Sequence, residues 1–194
     1  MHALLRLSGL IDALTERVGR AASWLILAAT LTCAGNAFVR YAFHMSSNAW
    51  LEVQWYLFAA VFLLCSGYAL KHNQHVRIDV ISGRLSPRAR AWIEIFGTLL
   101  FLLPMGLVIL WLSWPVFTMS WISGEVSANA NGLVLWPARL LVPAGFALLV
   151  LQGLAELIRR IAFLRGLIAD PSQKAEGAER ELVEAILKSR SPGP

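Results

Sequence analysis

The sequence is short of charged side chains. Asp, Glu, Lys and Arg make up 15% of the 194 residues, whereas 57% of the residues are hydrophobic. A soluble domain usually carries about 25% charged residues, so this shortage indicates that lipid surrounds much of the chain. The formal net charge of +5 does not indicate a nucleic-acid partner, because the basic residues flank apolar runs, as they do in membrane proteins.

Cysteine pairs and nucleotide-binding motifs are missing as well. The two cysteines, Cys33 and Cys65, lie inside apolar runs, where a cysteine behaves as a small buried residue, so neither a disulfide nor a thiolate metal site is predicted. The sequence contains no G-x-x-x-x-G-K-[ST] and no G-x-G-x-x-G motif, which are the loops that cradle nucleotide phosphates. These absences leave no indication of nucleotide binding.

The histidines are badly placed for a haem or a metal. The chain has four of them, His2, His44, His72 and His75. A bis-histidine haem needs two imidazoles that face each other inside a helix bundle, whereas these four lie outside the apolar runs. His72 and His75 could share a metal ion in a helix, but no third ligand accompanies them. We therefore predict no cofactor and no metal in this chain.

Four apolar stretches predict four membrane crossings. A helix of roughly 20 apolar residues spans about 30 Å of bilayer hydrocarbon. The predicted crossings cover residues 21–43, 49–70, 91–114 and 133–158. Ser86-Pro87 is typical of a helix start, and Pro104 and Pro115 are expected to kink the third crossing. The predicted fold class is an all-α integral membrane protein, with a four-helix membrane domain over residues 21–168.

The crossings give no indication of a transport path of their own. They show neither the buried ionisable groups of a pump or proton relay nor the Gly-rich unwound break on which transporter sites are built. Small residues between positions 28 and 35 favour close packing of the first crossing against other helices. We therefore expect the chain to work beside a larger membrane partner.

The two ends of the chain differ from the crossings. Apolar residues spaced by three and four, with charged residues between them, predict an N-terminal amphipathic helix over residues 1–20. This helix either lies along the headgroup boundary or packs on a partner subunit. The apolar positions are Leu4, Leu7, Ile11, Leu14 and Val18. Residues 169–194 are predicted to form a polar cytoplasmic tail with one short helix.

The distribution of Lys and Arg predicts the orientation in the membrane. Fifteen of the 17 basic residues fall in the N-terminal segment, the loop between the second and third crossings, and the C-terminal segment. The other two, Arg40 and Arg139, fall on the opposite side. By the positive-inside rule this asymmetry predicts that both termini are cytoplasmic, an N-in, C-in topology.

One charge of each sign lies near the predicted outer end of the bundle. Arg40 is near the end of the first crossing, and Glu52 is near the start of the second. The two side chains could form an ion pair, or Glu52 could interact with the positive end of its own helix dipole. Alternatively, both could contact a partner subunit or a docked protein. The sequence leaves these interpretations open.

Polar and aromatic residues around the second crossing form a recognisable pattern. They are Asn36, Arg40-Tyr41, Trp50-x-Glu52, Tyr56-x-Phe58 and His75-Val76-Arg77-Ile78-Asp79. In this order and spacing the chain resembles the small membrane subunit (Q-type, DctQ-like) of TRAP transporters, the tripartite ATP-independent periplasmic systems. The sequence departs from the family pattern at Val53, where a second acidic residue often stands.

The resemblance implies a scaffold and no enzymatic activity. Such a subunit lies in the bacterial inner membrane and binds a large multi-spanning permease subunit, which holds the substrate and sodium sites. A periplasmic solute-binding protein delivers the solute, often an organic acid. The implied candidates for partner docking are Arg40, Tyr41, Trp50 and Glu52, and the implied cytoplasmic loop motif contains His75, Arg77 and Asp79.

Two other functions stay open at this point. A haem- or quinone-associated four-helix membrane anchor of a redox complex would need opposed histidines near mid-depth. A small four-crossing thiol oxidant would need reactive cysteine pairs in its loops. The sequence offers neither arrangement, so a transporter subunit is the preferred hypothesis.

Overall fold

The computed structural model describes residues 1–44, 47–72 and 86–169. Six α-helices and one π-helical segment account for most of these residues. They are α1 (His2–Phe43), α2 (Asn48–Leu64), α3 (Ser66–Lys71), α4 (Pro87–Gly97), the π-helical segment Thr98–Leu102, α5 (Leu103–Ser123) and α6 (Trp136–Leu164). Together they make four helices that are long and apolar enough to cross a membrane, which confirms the predicted number of crossings.

The first crossing belongs to a helix that is much longer than a bilayer is thick. Helix α1 has 42 residues, so it extends for about 63 Å, roughly twice the hydrocarbon thickness. The backbone does not break between residues 20 and 21, where the predicted amphipathic segment meets the predicted first crossing. The placement of residues 1–20 along the headgroup boundary stays a prediction.

The second crossing consists of α2 and α3, which are separated only at Cys65. Next to this position the Ser66 hydroxyl donates a hydrogen bond to the Leu63 carbonyl at 2.7 Å. Serine hydroxyls that bond back to the preceding turn compete with the helical ladder and often bend a helix. The crossing nevertheless continues to Lys71, one residue beyond the predicted limit.

The third crossing is longer than predicted and contains the π-helical segment. The Ser86 hydroxyl accepts a bond from the Ala89 amide at 3.3 Å, and Pro87 is the first helical residue, which confirms the predicted helix start. The π-helical turn ends two residues before Pro104, whose ring removes one backbone donor and crowds the preceding turn. By contrast, Pro115 lies within an uninterrupted α5.

Helix α6 is the centre of the bundle, because it packs against all five other α-helices. Small residues allow this contact. A Cβ atom added to Gly145 would lie 2.7 Å from the Leu63 Cβ, and one added to Gly153 would lie 2.6 Å from a Leu102 methyl group. Such contacts are shorter than carbon atoms tolerate, so glycine at both positions lets α6 approach its neighbours closely.

The helices alternate in direction, which gives the bundle two distinct ends. The termini side contains the start of α1, the end of α3, the start of α4 and the end of α6. The loop side contains the end of α1, the start of α2 and the loop of residues 124–135 that joins α5 to α6. Most of the polar contacts between helices collect at these two ends.

Candidate functional site

The loop of residues 124–135 folds back on itself at the loop side of the bundle. Gly124 ends α5 in the left-handed conformation, with φ of 61°, which a glycine adopts without steric cost. The Ser127 amide then donates to the Leu133 carbonyl and the Leu135 amide to the Glu125 carbonyl, both at 2.9 Å. A β-bridge between Val126 and Val134 lies between these bonds. The loop therefore has a defined, hairpin-like conformation.

One carboxylate from α2 holds this loop in place. Glu52 accepts hydrogen bonds from the Ser127 hydroxyl, from the Asn129 side-chain amide at 2.8 Å, and from the Leu133 backbone amide at 2.6 Å. Its residue surface is only 5% exposed. A charged acceptor with three donors is the arrangement that makes burial of a carboxylate tolerable. Glu52 therefore acts as the internal anchor of the loop.

This finding corrects the prediction that Glu52 interacts with the start of its own helix. Helix α2 begins at Asn48, its first turn contains no acidic residue, and Ser47 makes no side-chain capping bond. Glu52 thus lies beyond the first turn, and its oxygens bind loop atoms that lie 75 to 81 residues further along the chain. The charge is used for tertiary structure rather than for helix capping.

Two further residues on the same face of α2 contact the loop. The Asn48 side-chain amide donates to the Ala130 carbonyl at 3.3 Å, and the Tyr56 hydroxyl donates to the Val134 carbonyl at 3.1 Å. Residues 48, 52 and 56 are spaced by four, so they share one helix face. We call Asn48, Glu52 and Tyr56 the loop clamp, because together they bind residues before, at and after the tip of the loop.

The charged side chains at the loop side do not form the Arg40–Glu52 ion pair that the sequence left open. Arg139, in the first turn of α6, forms a partly exposed ion pair with Glu125 of the loop at 2.5 Å. Arg40 is exposed near the end of α1, and in the part of the chain that the structure describes no acidic side chain lies within ion-pair distance of it. The structure therefore brings Glu52 to the loop and not to Arg40.

The other residues that the sequence singled out for docking are accessible. Tyr41 is 82% exposed and Trp50 is 52% exposed, so these aromatic side chains and Arg40 are free to meet another molecule. Glu52 is buried and can influence a partner only through the loop. The docking roles of all four residues stay predictions. His75, Arg77 and Asp79 lie outside the described residues.

A second set of polar contacts joins α1 to α6 toward the termini side. Asp12 accepts a hydrogen bond from the Gln152 side-chain amide at 2.9 Å and forms an ion pair with Arg159. Gln152 is completely buried. The guanidinium of Arg159 also binds Glu156, with contacts of 2.9 and 2.6 Å. The start of α1 is therefore attached to the chain's own central helix.

Glu16 connects the start of α1 to the end of α3. Its carboxylate lies 2.6 Å from the Lys71 ammonium and 3.0 Å from the His72 imidazole, and Arg20 lies at 3.6 Å. Lys71 also donates to the Asp12 carbonyl at 3.2 Å. These contacts hold the long first helix against the second crossing.

The third crossing is bonded to α6 through a buried arginine. Arg160 is 2% exposed, and its guanidinium lies 2.5 Å from the Glu94 carboxylate and 4.0 Å from that of Glu156. Arg160 lies two residues beyond the predicted limit of the fourth crossing, and the expectation that the crossings lack the buried ionisable groups of a pump or proton relay stays a prediction. The charges are paired with one another across helices, which offsets the cost of removing them from water.

Sequence reasoning missed most of these partners. Gln152, Glu156 and Arg160 are spaced by four within an apolar stretch, and this spacing was the available signal for a polar helix face. Ser127 and Asn129 gave no such signal, because short polar loop residues rarely reveal what they bind. The same limit applied to Asp12, whose partners lie 140 and 147 residues away.

Metal and haem ligands can be examined only among the described residues. Within the described residues no group of three or more His, Cys, Asp or Glu side chains could hold a metal ion. His44 follows α1 at the loop side, whereas His72 follows α3 at the termini side, so these two imidazoles cannot bind the same iron. Both cysteines are free thiols. The polar clusters serve mainly to hold helices and one loop together.

Comparison with known families gives a match over most of the chain. Residues 28–163 match the family described as "Tripartite ATP-independent periplasmic transporters, DctQ component". This match covers more than two thirds of the chain and includes the loop clamp and the loop of residues 124–135. No curated protein matches the chain.

Proposed function

The chain belongs to the DctQ family of tripartite ATP-independent periplasmic (TRAP) transporters, and from this premise we propose that it is the small scaffold subunit beside a large permease subunit. The resemblance seen in the sequence is thereby confirmed. The match across the four crossings is the observation that carries the proposal. The protein is a multi-pass membrane component of a tripartite transporter.

The exposed apolar surface supports a scaffold role. In each of the first two spans only 11% of the most apolar window is buried within the chain, compared with 39% in the fourth span. Nearly every residue from Thr30 to Phe43 of α1 is exposed. The first and second crossings therefore offer most of their surface to lipid or to another membrane protein, as a subunit that binds a larger permease must.

The hydrogen-bonded loop of residues 124–135 supports a role for the loop side of the bundle in contacting partner subunits. In the proposed complex, Arg40, Tyr41 and Trp50 contact the partner subunits, and Glu52 positions the loop of residues 124–135 without touching them. Aromatic and arginine side chains are the residue types that contribute most to protein interfaces. A preorganised loop also loses less conformational entropy when a partner docks on it.

The finer parts of the proposal follow the family resemblance. The complex takes up a small, carboxylate-bearing solute that a periplasmic binding protein delivers, and the large subunit holds the coupling sodium ions and the solute. This chain holds no cofactor and catalyses no reaction. It lies in the bacterial inner membrane with both termini in the cytoplasm, an orientation supported by the distribution of basic residues.

Reconstitution of the complete system tests this function. The chain, its large permease and the binding protein are assembled in vesicles with an inward sodium gradient, and uptake of labelled carboxylate solutes is measured. We expect uptake with all three components and none when this chain is omitted. Full uptake without the chain, or uptake by the chain alone, would contradict the scaffold role.

A further inference from the structure

An open cleft lies between the second and third crossings. It has a volume of 450 Å³ and is bounded by α3, α4, the π-helical segment and α5, with α6 as its floor. Most of its lining is apolar, with Leu70, Phe101 and Leu157 among the lining residues. The volume falls within the range of about 300–1,000 Å³ found for small-molecule sites.

The polarity of the cleft changes along its length. At one end lie Glu94, Glu156 and Arg160, which are joined by the ion pairs described above. Away from this end, the wall formed by the third crossing continues through Gly97 and Phe101 to Met105. An occupant that fits this order has a polar, charged end and a long apolar part.

The depth of the cleft corresponds to one leaflet of a bilayer. The stretch from Glu94 to Met105 covers about 16 Å along the helix axis, which is close to half of the roughly 30 Å of hydrocarbon in a bilayer. Glu94 lies two turns from Pro87, where α4 begins at the termini side. The charged end is therefore near the headgroups, and the apolar part extends toward the bilayer centre.

The cleft opens sideways, in the direction in which lipid approaches a membrane helix. On its rim, Phe101 is 74% exposed and Met105 is 58% exposed. A Cβ atom added to Gly97 would meet no other atom within 4 Å. The glycine therefore leaves open space at the point where the charged and apolar parts of the cleft meet.

We propose that this cleft binds one phospholipid from the leaflet on the termini side. One acyl chain lies along the apolar wall, and the headgroup lies beside the Glu94–Arg160 ion pair. A zwitterionic headgroup fits this end of the cleft, because its ammonium group can approach the Glu94 carboxylate, whose side chain is 19% exposed, while the Arg160 guanidinium stays buried behind it. A partner side chain is the less suitable occupant, because the cleft matches an amphiphile in both leaflet depth and order of polarity.

Filling the open space tests the proposal. The full chain is purified as wild type, as Gly97→Leu and as the matched control Gly35→Leu, which also introduces a leucine where an added Cβ meets no atom within 4 Å. Each protein is delipidated and titrated with phosphatidylethanolamine, and bound lipid is counted by native mass spectrometry. We expect one tightly held lipid on the wild type and on the control. Binding to Gly97→Leu should fall roughly tenfold, since excluding two methylene groups from an apolar site has about that effect.

A second measurement leaves Gly97 intact. Photoreactive benzoylphenylalanine replaces Phe101 in the complex with the large permease subunit, and the adducts formed on irradiation are identified. A phospholipid adduct supports the proposal. An adduct with the large subunit, or equal lipid binding by wild type and Gly97→Leu, would overturn it. Neither measurement depends on transport activity, so the lipid site and the proposed function are tested separately.

Discussion

A single carboxylate determines how the loop at the loop side is held. An ionised carboxylate only accepts hydrogen bonds, and its two oxygens have room for about four donors. Glu52 uses three, from a hydroxyl, a side-chain amide and a backbone amide. All three donors belong to the loop, so the loop cannot move away from α2 without breaking several hydrogen bonds at once.

Replacing Glu52 by glutamine should loosen the loop while keeping the side chain's size. The glutamine amide has one acceptor oxygen, and its NH₂ group faces donors, so at least one loop donor stays unsatisfied. We expect elastase to cleave the loop near Ala128 and Ala130 on the order of tenfold faster in Glu52→Gln, because cleavage follows the population of the open loop.

Glu125→Gln is the matched control for this experiment. Its carboxylate pairs with Arg139, but the two side chains are 40% and 31% exposed, and exposed ion pairs contribute little to stability. The control should be cleaved at nearly the wild-type rate. Equal cleavage of wild type and Glu52→Gln would show that the clamp does not hold the loop.

At the residue scale, the sequence singled out Glu52 but did not indicate its hydrogen-bond partners. A glutamate at the start of an apolar run stands out, because a charge near a membrane helix is costly without a partner. Its actual partners lie in a loop that follows the third crossing, and nothing in the local pattern around Glu52 points to them. The pairing depends on which helix ends become neighbours, and the local sequence does not specify this.

Close contact between α2 and α6 depends on one small residue. The Leu63 Cβ and carbonyl oxygen lie 2.7 and 2.8 Å from where a Cβ of residue 145 would be. Gly145 is buried in α6. In lipid, where little hydrophobic force drives helices together, packing at such short distances supplies much of the attraction between helices.

Gly145→Ala should therefore separate α2 from α6. Overpacking of this kind costs about 1–3 kcal/mol, and we expect a matching loss in stability when the purified protein is unfolded by heat or denaturant. Gly35→Ala is the control, because its added methyl group meets nothing and alanine favours helix by roughly 0.5–1 kcal/mol. A stability of Gly145→Ala equal to that of the control would exclude tight packing at this contact.

At the element scale, hydrophobic length predicted the number of crossings but not their limits. The third helix runs from Pro87 to Ser123 rather than over 91–114, because Pro115 is tolerated inside a membrane helix and the helix ends only where Gly124 adopts a positive φ. The predicted amphipathic segment and the apolar segment of α1 both favour helix, and the structure has no break between them. The sequence indicated that small residues of α1 would allow close helix packing. In the structure, glycines of α6 also allow such packing, at Gly145 and Gly153.

At the scale of the whole molecule, the ion pairs and hydrogen bonds between elements fall into two sets, one at the loop side of the bundle and one toward the termini side. At the loop side they fix a loop, and toward the termini side they join α1, α3, α4 and α6. Both sets of contacts connect elements that are far apart in the sequence, so they hold the four crossings together as one bundle. A bundle that is bonded in this way and has wide apolar faces suits a scaffold better than a moving carrier, because a carrier needs elements with two arrangements.

The segments at the two ends of the bundle also differ in net charge, and this difference predicts the orientation of the molecule in the membrane. The loop of residues 124–135 contains Glu125 and no Lys or Arg, whereas the segments on the termini side contain fifteen of the 17 basic residues. Basic segments are retained in the cytoplasm during insertion. A reporter that is active only outside the cytoplasm should therefore be active when fused after Asn129.

The complementary fusion completes the topology test. A reporter that works only in the cytoplasm should be active after Pro194 and inactive after Asn129, because the predicted topology places both termini on the side opposite to the loop of residues 124–135. Adding two lysines to this loop, at Asn129 and Asn131, should weaken the difference, since it raises the basic charge on the translocated side. The reverse pattern, with cytoplasmic activity only after Asn129, would show that the termini face outward and that the proposed lipid site lies in the outer leaflet.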